Sequence, residues 1–275
     1  MLFDIAMLVA GLVLLVFAGD YLVKGAVTNA INMPSISAEE APILKPFVKL
    51  AEVLGAFVGQ VAESAILEVE ILYDGLTAEL NTKALTSATL AGLIRPQVAD
   101  VNMVSAPVMV KERGVIVSEV KRDKSGVFDG YIKVTMVTDT RERSIAGTVF
   151  SDGKPRFIQI RGINVDAEIG EHMMYTRNRD VPGVIGTLGV TLGGMGVNMA
   201  NFTLGRAANG GDAIAITYLD EPLREDVLAV DVPGMLVPAA LVRAIGVPSP
   251  ALDPAYRGIE YCRRIRAAAL VGRPP

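Results

Sequence analysis

The sequence predicts an α+β protein: an α/β unit, then a unit of order βαββαβ, with an apolar helix at the N-terminus. Between residues 45 and 162, segments with helical periodicity alternate with short segments of strand-like, apolar–polar alternation. A strand, a helix, two strands, a helix and a strand then follow over residues 172–242. Residues 5–18 are uninterruptedly apolar, which predicts the N-terminal helix.

The composition of the 275-residue chain excludes several functional classes. The chain is 51% apolar with a net charge of −4, which argues against a disordered chain and against a nucleic-acid binder, since the latter needs a basic surface. The single cysteine, Cys262, indicates a reducing compartment. The single histidine, His172, excludes a multi-histidine metal site. We therefore expect no metal, and a structural role for His172.

The apolar N-terminal segment is compatible with more than one environment. Residues 5–18 are fewer than the roughly 20 that a membrane-spanning helix needs. No Lys or Arg precedes them, which argues against a cleaved signal peptide. A membrane-inserted helix and a helix of the protein core remain as alternatives. If the helix is inserted in a membrane, Lys24, which follows it, favours a cytoplasmic body.

The α/β unit can be divided into helices and strands. We predict helices over 45–62, 81–94 and 106–114, and strands over 65–75, 115–123, 130–140 and 142–162. Pro46 is tolerated in the first turn of its helix, and Asn81 is a typical N-cap. The turn residues "SDGK" (151–154) divide the last segment into a hairpin.

The second unit follows from His172 onwards. We predict strands over 172–180, 197–207, 213–221 and 234–242, and helices over 181–196 and 223–230. This order is the ferredoxin-like arrangement. Pro238 limits the last strand to the edge of its sheet, because proline has no N–H to donate.

The glycine-rich helix 181–196 is not a phosphate-binding loop. A dinucleotide fingerprint requires G-x-G-x-x-G between a strand and a helix, but Gly194–Met195–Gly196 closes this helix. Its predicted apolar face is Ile185, Leu188, Leu192 and Met195. The remaining glycines indicate either a weak helix held by packing or a backbone that closely approaches a sheet or a second subunit.

Three segments resemble the D-3-phosphoglycerate dehydrogenase family. "NRDVPGVIGTLGVTLGGMGVNMANFTLGR" (178–206) resembles the ACT domain at the C-terminus of those enzymes. Residues 25–60 resemble the passage from their substrate-binding domain into the intervening domain of long-form members, and "SAPVMVKERG" (105–114) is similar to a segment of that domain. The resemblance implies an intervening domain over 34–168 and an ACT domain over 169–243, which leaves an apolar N-terminal helix and linker over 1–33 and a helical tail over 244–275.

The two ends of the chain resemble other families. Residues 1–27 are similar to the first transmembrane helix of calcium/sodium antiporters. "AIGVPSPALD" (244–253) resembles the C-terminal helical domains of ketopantoate-reductase-like and opine-dehydrogenase-like enzymes. These resemblances indicate a mosaic chain, and we carry no function over from either end.

The ACT resemblance implies an effector site for L-serine or another small amino acid between two subunits. The matching residues are Asn178, Asp180, Gly183, Val184 and Asn198. A carboxylate suits the ammonium group, amides can donate and accept, and the N–H groups at a helix start suit a carboxylate. The structural alternative is that Asp180 only caps the helix and Asn198 only shapes a turn.

The intervening-domain resemblance implies an anion site built from basic residues. Lys154, Arg156 and Arg161 are the candidates, with Arg156 the best match to the family's basic position. Arg156 and Arg161 are separated by an odd number of residues, so in a strand they face opposite ways and at most one joins a given site. Solvated surface charge is the alternative.

Together these features predict a regulatory, serine-binding portion of the dehydrogenase that forms a homo-oligomer through its ACT domains and holds no cofactor. The family's nucleotide-binding domain and catalytic residues would lie upstream of residue 20, so we expect no catalytic residue in this chain and no hydride transfer by it alone. The alternatives are a membrane-anchored mosaic and an oligomerisation module without a ligand.

Overall fold

The computed structural model describes residues 40–223, apart from 63, 99, 124 and 125, and the backbone of Met235–Arg243. The predicted apolar helix over 5–18, residues 224–230 of a predicted helix and the tail over 244–275 lie outside the described residues. The described part combines helices with two sheets, which confirms the α+β class. Within it, no helix is both long enough and apolar enough to cross a membrane.

Five helices and ten strands make up the described part. The helices are α1 (Ala41–Gln60), α2 (Leu76–Glu79), α3 (Thr82–Ile94), α4 (Ala106–Glu112) and α5 (Val184–Gly194). The strands are β1 (Ile66–Gly75), β2 (Ile116–Arg122), β3 (Gly130–Thr138), β4 (Glu142–Val149), β5 (Pro155–Ile160), β6 (Ile163–Glu168), β7 (His172–Arg179), β8 (Met199–Arg206), β9 (Asp212–Leu219) and β10 (Met235–Arg243). Most bounds lie within a few residues of the prediction; α2 and β6 were not predicted.

The first sheet is mixed and has the strand order β2-β1-β3-β4-β5-β6. β1 and β2 are parallel, joined through α2, α3 and α4, and every other pairing in this sheet is antiparallel. The predicted "SDGK" turn does join β4 to β5: Gly153 has a φ of 77° and its N–H donates to the carbonyl of Phe150 at 2.9 Å. An α/β unit of the predicted kind therefore precedes the second sheet.

Helix α1 begins earlier than predicted. It starts at Ala41 with Pro42 in its first turn, so Pro46 lies inside the helix and not in the first turn as expected. Proline is readily accommodated at a helix start because that N–H has no intrahelical partner. The position of Pro42 explains the earlier start.

Helices α1 and α3 cross at glycines. A Cβ built on Gly55 would lie 1.9 Å from the carbonyl oxygen of Thr89, and one on Gly59 would lie 2.2 Å from that of Leu93. On the facing helix, a Cβ on Gly92 would lie 2.0 Å from the carbonyl oxygen of Glu52. The two backbones are therefore in direct contact at this crossing.

The predicted cap of α3 is confirmed, and it supports a stability prediction. The side chain of Asn81 accepts a hydrogen bond from the N–H of Ala84 at 3.3 Å. Asn81→Ala is expected to lower the free energy of unfolding by about 1 kcal/mol, because an N-terminal donor of the helix loses its partner. Urea unfolding measures this change. Asn81→Ser can still cap the helix, so its free energy of unfolding should stay near that of the parent. An equal loss of stability in both variants would contradict the capping role.

The second sheet is antiparallel, with the order β10-β7-β9-β8. Helix α5 joins β7 to β8, which are not neighbours because β9 lies between them. β10 is an edge strand, and its register with β7 shifts between Val237 and Ala240, around Pro238. The predicted edge position of Pro238 is therefore confirmed.

The two sheets share one hydrophobic core. The core around α1 includes Met173 and Tyr175 of β7 and Ile214 and Ile216 of β9. Phe57 of α1 contacts Tyr175 edge-on, with 5.0 Å between ring centroids. The second sheet therefore packs one face against the core of the first.

The other face of the second sheet packs on α5, whose orientation differs from the prediction. Leu188 and Leu192 are buried as expected, but Ile185 is 50% exposed and Val184 is buried in its place. A Cβ on Gly186 or on Gly193 would meet nothing within 4 Å among the described residues. These glycines are therefore not needed for close packing on the chain's own sheet.

Candidate functional site

The predicted effector residues lie at the junction of β7 and α5. Asn178 is buried near the end of β7, and its amide N–H donates to the carbonyl of Arg179 at 2.6 Å. Gly183 is the N-cap of α5 with a φ of 93°, and Val184 is the first residue of the helix. Because Gly183 has no side chain to cap the helix, the N–H groups of the first turn remain available to a ligand.

Asp180 pairs with an arginine on a different strand. Its carboxylate lies 3.2 Å from Nη1 of Arg206 at the end of β8. Its backbone N–H donates to the carbonyl oxygen of Gly211 at 2.9 Å. The N-cap of α5 is Gly183, and no side chain makes a capping bond there. The alternative that Asp180 merely caps the helix is therefore wrong. A carboxylate and a guanidinium stand side by side instead.

Asn198 lies at the other end of the sheet. Its amide N–H donates to the carboxylate of Asp220 at 2.5 Å, just beyond the end of β9. Asn178 pairs with Ala213 at the start of β9. Six residues of extended strand separate Ala213 from Leu219, which corresponds to about 20 Å. One chain therefore does not bring Asn198 to Asn178 and Asp180.

Strand β8 and helix α5 expose apolar side chains beside these residues. β8 is the edge strand of its sheet, and Met199 and Leu204 are 38% and 41% exposed. On α5, Ile185 and Val190 are 50% and 78% exposed. Strand β6 packs against part of the β8 edge, since a Cβ on Gly205 would lie 2.7 Å from the carbonyl oxygen of Asn164. The exposed apolar side chains of α5 and β8 are therefore the surface that can accommodate a second copy.

The predicted basic residues Lys154 and Arg156 lie among carboxylates. Lys154 pairs with Glu168 at 2.8 Å, and Arg156 pairs with Asp152 at 3.0 Å and with Asp166 at 3.5 Å. The backbone N–H of Lys154 first, and then Arg156, lower the pKa of Asp152. Two cations thus face three carboxylates. Anion binding at Lys154 and Arg156 stays a prediction, and this balance of charge does not favour it.

Arg156 also lines a surface cleft between the sheets. The cleft has a volume of about 380 Å³ and is lined by Arg156, Asp166, Glu168, Gly170, Asn201, Thr203 and Tyr218. The Tyr218 hydroxyl donates to the carbonyl of Glu168 at 2.7 Å. Burial, and then the charge of Glu168, raise the pKa of Tyr218 to about 12. Tyr218 is therefore a neutral hydrogen-bonding group at physiological pH.

Arg161 belongs to a different group of residues. It lies in the turn between β5 and β6, where Arg143 of β4 and Arg177 of β7 both act on it electrostatically. We call Arg143, Arg161 and Arg177 the arginine cluster. Arg161 lies in the turn after β5 and not in the strand, so the strand alternation that separates it from Arg156 does not apply here, and their separation stays a prediction.

Sequence reasoning missed Arg143, Arg177 and Arg206. Arg143 and Arg177 lie outside the segments that carry the resemblance, Arg206 ends one of them without being assigned a role, and each meets its neighbours through strand pairing across the chain. The described residues contain no group of three or more His, Cys, Asp and Glu side chains able to hold a metal ion. His172 begins β7, and its Nδ1 has no hydrogen-bond partner among the described residues.

Comparison with known proteins identifies the relationship. Residues 43–161 match the model of the D-3-phosphoglycerate dehydrogenase intervening domain. D-3-phosphoglycerate dehydrogenase of Bacillus subtilis is 32% identical over 203 residues, which cover 74% of this chain and 39% of that enzyme. The chain is homologous to D-3-phosphoglycerate dehydrogenases. The Methanocaldococcus jannaschii enzyme is 34% identical over 203 residues, which cover 73% of this chain and 38% of that enzyme. The Synechocystis enzyme is 32% identical over 212 residues, which cover 76% of this chain and 38% of that enzyme.

The homology extends beyond the intervening domain but over only part of the relatives. The matched segments cover about three quarters of this chain, more than the intervening domain alone. The chain spans about two fifths of the length of the D-3-phosphoglycerate dehydrogenases that it matches. The relationship predicted from residues 178–206 and 105–114 is therefore confirmed for this part of the chain.

Proposed function

We propose that this chain is the regulatory, L-serine-binding portion of a cytoplasmic D-3-phosphoglycerate dehydrogenase of serine biosynthesis, assembled as a homo-oligomer. In this proposal residues 34–168 form the intervening domain and residues 169–243 an ACT domain. The order β10-β7-β9-β8, with α5 between β7 and β8, is the strand arrangement that a ferredoxin-like ACT domain requires.

The observation that carries the proposal is the separation of the predicted ligands. Asn178 and Asp180 lie at one end of β9 and Asn198 at the other, so a site using all three needs two chains. The apolar side chains that remain exposed on β8 and α5 can receive a second copy. A second copy related by a two-fold axis would supply Asn198 to the first and receive it in return.

The charges at Asp180 suit a zwitterion. Its carboxylate can accept the ammonium group of serine, while Arg206 and the first-turn N–H groups of α5 can receive the carboxylate. The pair of Asp180 and Arg206 is partly exposed, and such pairs contribute about 0–1 kcal/mol. Serine can therefore displace it at little cost, whereas burying an unpaired zwitterion would be expensive.

Calorimetric titration with L-serine tests the proposal. Asp180→Ala is expected to weaken binding about thirtyfold or more, because the buried ammonium loses its counter-charge. Asp166→Ala removes an exposed carboxylate from the other sheet and serves as the matched control, with parent affinity expected. D-serine should bind more weakly than L-serine.

Mixing two inactive variants tests the intersubunit geometry. Asp180→Ala and Asn198→Ala should each fail to bind serine, yet their mixture should regain heat at about one quarter of the sites, because each mixed dimer holds one intact site. A mixture as silent as its components would contradict the shared site. No heat from a folded parent dimer would contradict serine binding and leave an oligomerisation module.

A further inference from the structure

The surface cleft of about 380 Å³ between the two sheets, which we call the intersheet cleft, has two walls of different chemistry. It is lined by three side chains of the first sheet and three of the second: Arg156, Asp166 and Glu168, and Asn201, Thr203 and Tyr218. Gly170 lines the cleft as well, and a Cβ there would lie 3.0 Å from Cδ1 of Tyr218. The missing side chain at Gly170 thus leaves room beside the tyrosine ring, and the volume suits a small molecule.

The wall of the first sheet carries more negative than positive charge. Two carboxylates and one guanidinium line it, and the closest partners of that guanidinium lie outside the lining. Nη2 of Arg156 is 3.0 Å from the carboxylate of Asp152, and its Cζ lies 4.7 Å from the centroid of the Phe150 ring. Because a salt bridge and a cation–π contact already hold Arg156, the charge that the cleft offers to a ligand is negative.

The two carboxylates of the cleft keep unused acceptor capacity. Asp166 is 68% exposed, and its ion pair among the described residues is a 3.5 Å contact with Nη1 of Arg156. Glu168 uses Oε1 on Lys154 at 2.8 Å, but its Oε2 lies 3.7 Å from Arg156, beyond hydrogen-bond distance. A carboxylate can accept about four hydrogen bonds. Oxygen atoms of both carboxylates can therefore accept from a ligand.

The wall of the second sheet adds hydroxyl oxygens. The Tyr218 hydroxyl donates to the carbonyl of Glu168 at 2.7 Å. Burial, above all, raises the pKa of Tyr218 to about 12, and a hydrogen bond from Thr203 acts against that rise. Since both hydroxyl protons are used within the wall, the oxygen of Thr203 is left as an acceptor.

We propose that the intersheet cleft binds a small aliphatic amine through its ammonium groups. An ammonium group has three donors and no acceptor, which suits a cleft lined by carboxylate and hydroxyl oxygens. Asp166 and Glu168 lie two residues apart on one face of β6, which corresponds to about 7 Å along the strand. The four-carbon chain of 1,4-diaminobutane spans this spacing, so a diamine can reach both carboxylates.

This site is separate from the proposed serine site. Leu219 belongs to the apolar cluster that contains Leu188 and Leu192 of α5. The preceding residue, Tyr218, packs against the core of the first sheet and so lies on the opposite face from α5. Amine binding therefore does not depend on serine binding, and either can fail without the other.

Calorimetric titration with 1,4-diaminobutane, at an ionic strength held constant with NaCl, tests the proposal. The parent should bind it, and Asp166→Asn, which keeps the size of the side chain but loses its charge, should bind about tenfold more weakly or worse. Thr203→Val, which removes the acceptor on the other wall, should bind about threefold more weakly. Glu70→Gln removes an exposed carboxylate of β1 and is the matched control, with parent affinity expected.

Tetramethylammonium separates hydrogen bonding from charge, because it is a cation without N–H donors. It should bind far more weakly than the diamine, and equal binding would overturn the proposal. No parent heat beyond that of NaCl, parent affinity in Asp166→Asn, or an equal loss in Glu70→Gln would overturn it too. Asp180→Ala should bind the diamine as the parent does, and Asp166→Asn should bind L-serine as the parent does, which keeps this result apart from the proposed function.

Discussion

Gly55→Ala is expected to lower the free energy of unfolding by about 3 kcal/mol or more, the upper end of the range for overpacking. The added methyl group would lie 1.9 Å from the carbonyl oxygen of Thr89 and 2.8 Å from its carbonyl carbon. Both are backbone atoms of α3, so no side chain can rotate away. The helices must separate, and the core between them loses contact.

Gly186→Ala is the matched control for this prediction. Gly186 also lies within a helix, but a Cβ there would meet nothing within 4 Å among the described residues. Alanine should therefore stabilise α5 by up to about 1 kcal/mol through its higher helix propensity. Urea unfolding followed by circular dichroism measures both variants. If the free energy of unfolding of Gly55→Ala lies within about 1 kcal/mol of the parent's, the helices can separate at little cost and the prediction is wrong.

The helix crossing also shows what the sequence could not provide. Gly55 and Gly59 are spaced four residues apart on α1, but their contacts are with Thr89 and Leu93, and only the folded chain identifies those partners. The cap at Asn81 was predictable because its hydrogen bond spans three residues. Interactions within one turn can be predicted from the sequence, whereas contacts between helices depend on packing.

Two errors in the predicted elements have local causes. β6 alternates buried and exposed residues as a strand should, but only the two-residue turn after Ile160 separates it from β5, and the sequence predicts a strand segment that ends at 162. Helix α5 is apolar on several sides, with Val184, Ile185 and Val190 beside its buried leucines. Periodicity therefore could not determine which side faces the sheet, and Val184 is buried instead of Ile185.

The candidate sites also combine residues that are close in sequence with residues that only the fold brings together. Asn178, Asp180 and Gly183 are close in sequence and adjoin one another at the junction of β7 and α5. The ion pair of Asp180 with Arg206, 26 residues apart, follows from the sheet. The arginine cluster draws on β4, a turn and β7, so its members carry no shared signal in the sequence. Resemblance to a family indicated the first site and, within the arginine cluster, Arg161 alone.

Phe57 packs between the two sheets. Its ring is 2% exposed and lies between Phe157 of the first sheet, at 6.0 Å between centroids, and Tyr175 of the second, at 5.0 Å. Because one core includes residues of both sheets, we expect the parent to unfold in a single cooperative transition. Far-ultraviolet dichroism and tyrosine fluorescence should then give coincident curves.

Phe57→Ala should lower the free energy of unfolding by about 3–5 kcal/mol, through lost burial and the cavity that remains. Phe128→Ala is the control: Phe128 also makes an edge-on aromatic pair, with Phe150 at 6.1 Å, but it is only half-buried in a loop. We expect Phe128→Ala to lower the free energy of unfolding by about 1 kcal/mol, since surface aromatic pairs contribute little beyond their burial. Equal costs in the two variants would contradict the central role of Phe57. Separate transitions in the parent would contradict the shared core, because Phe57 would then join two sheets that fold independently.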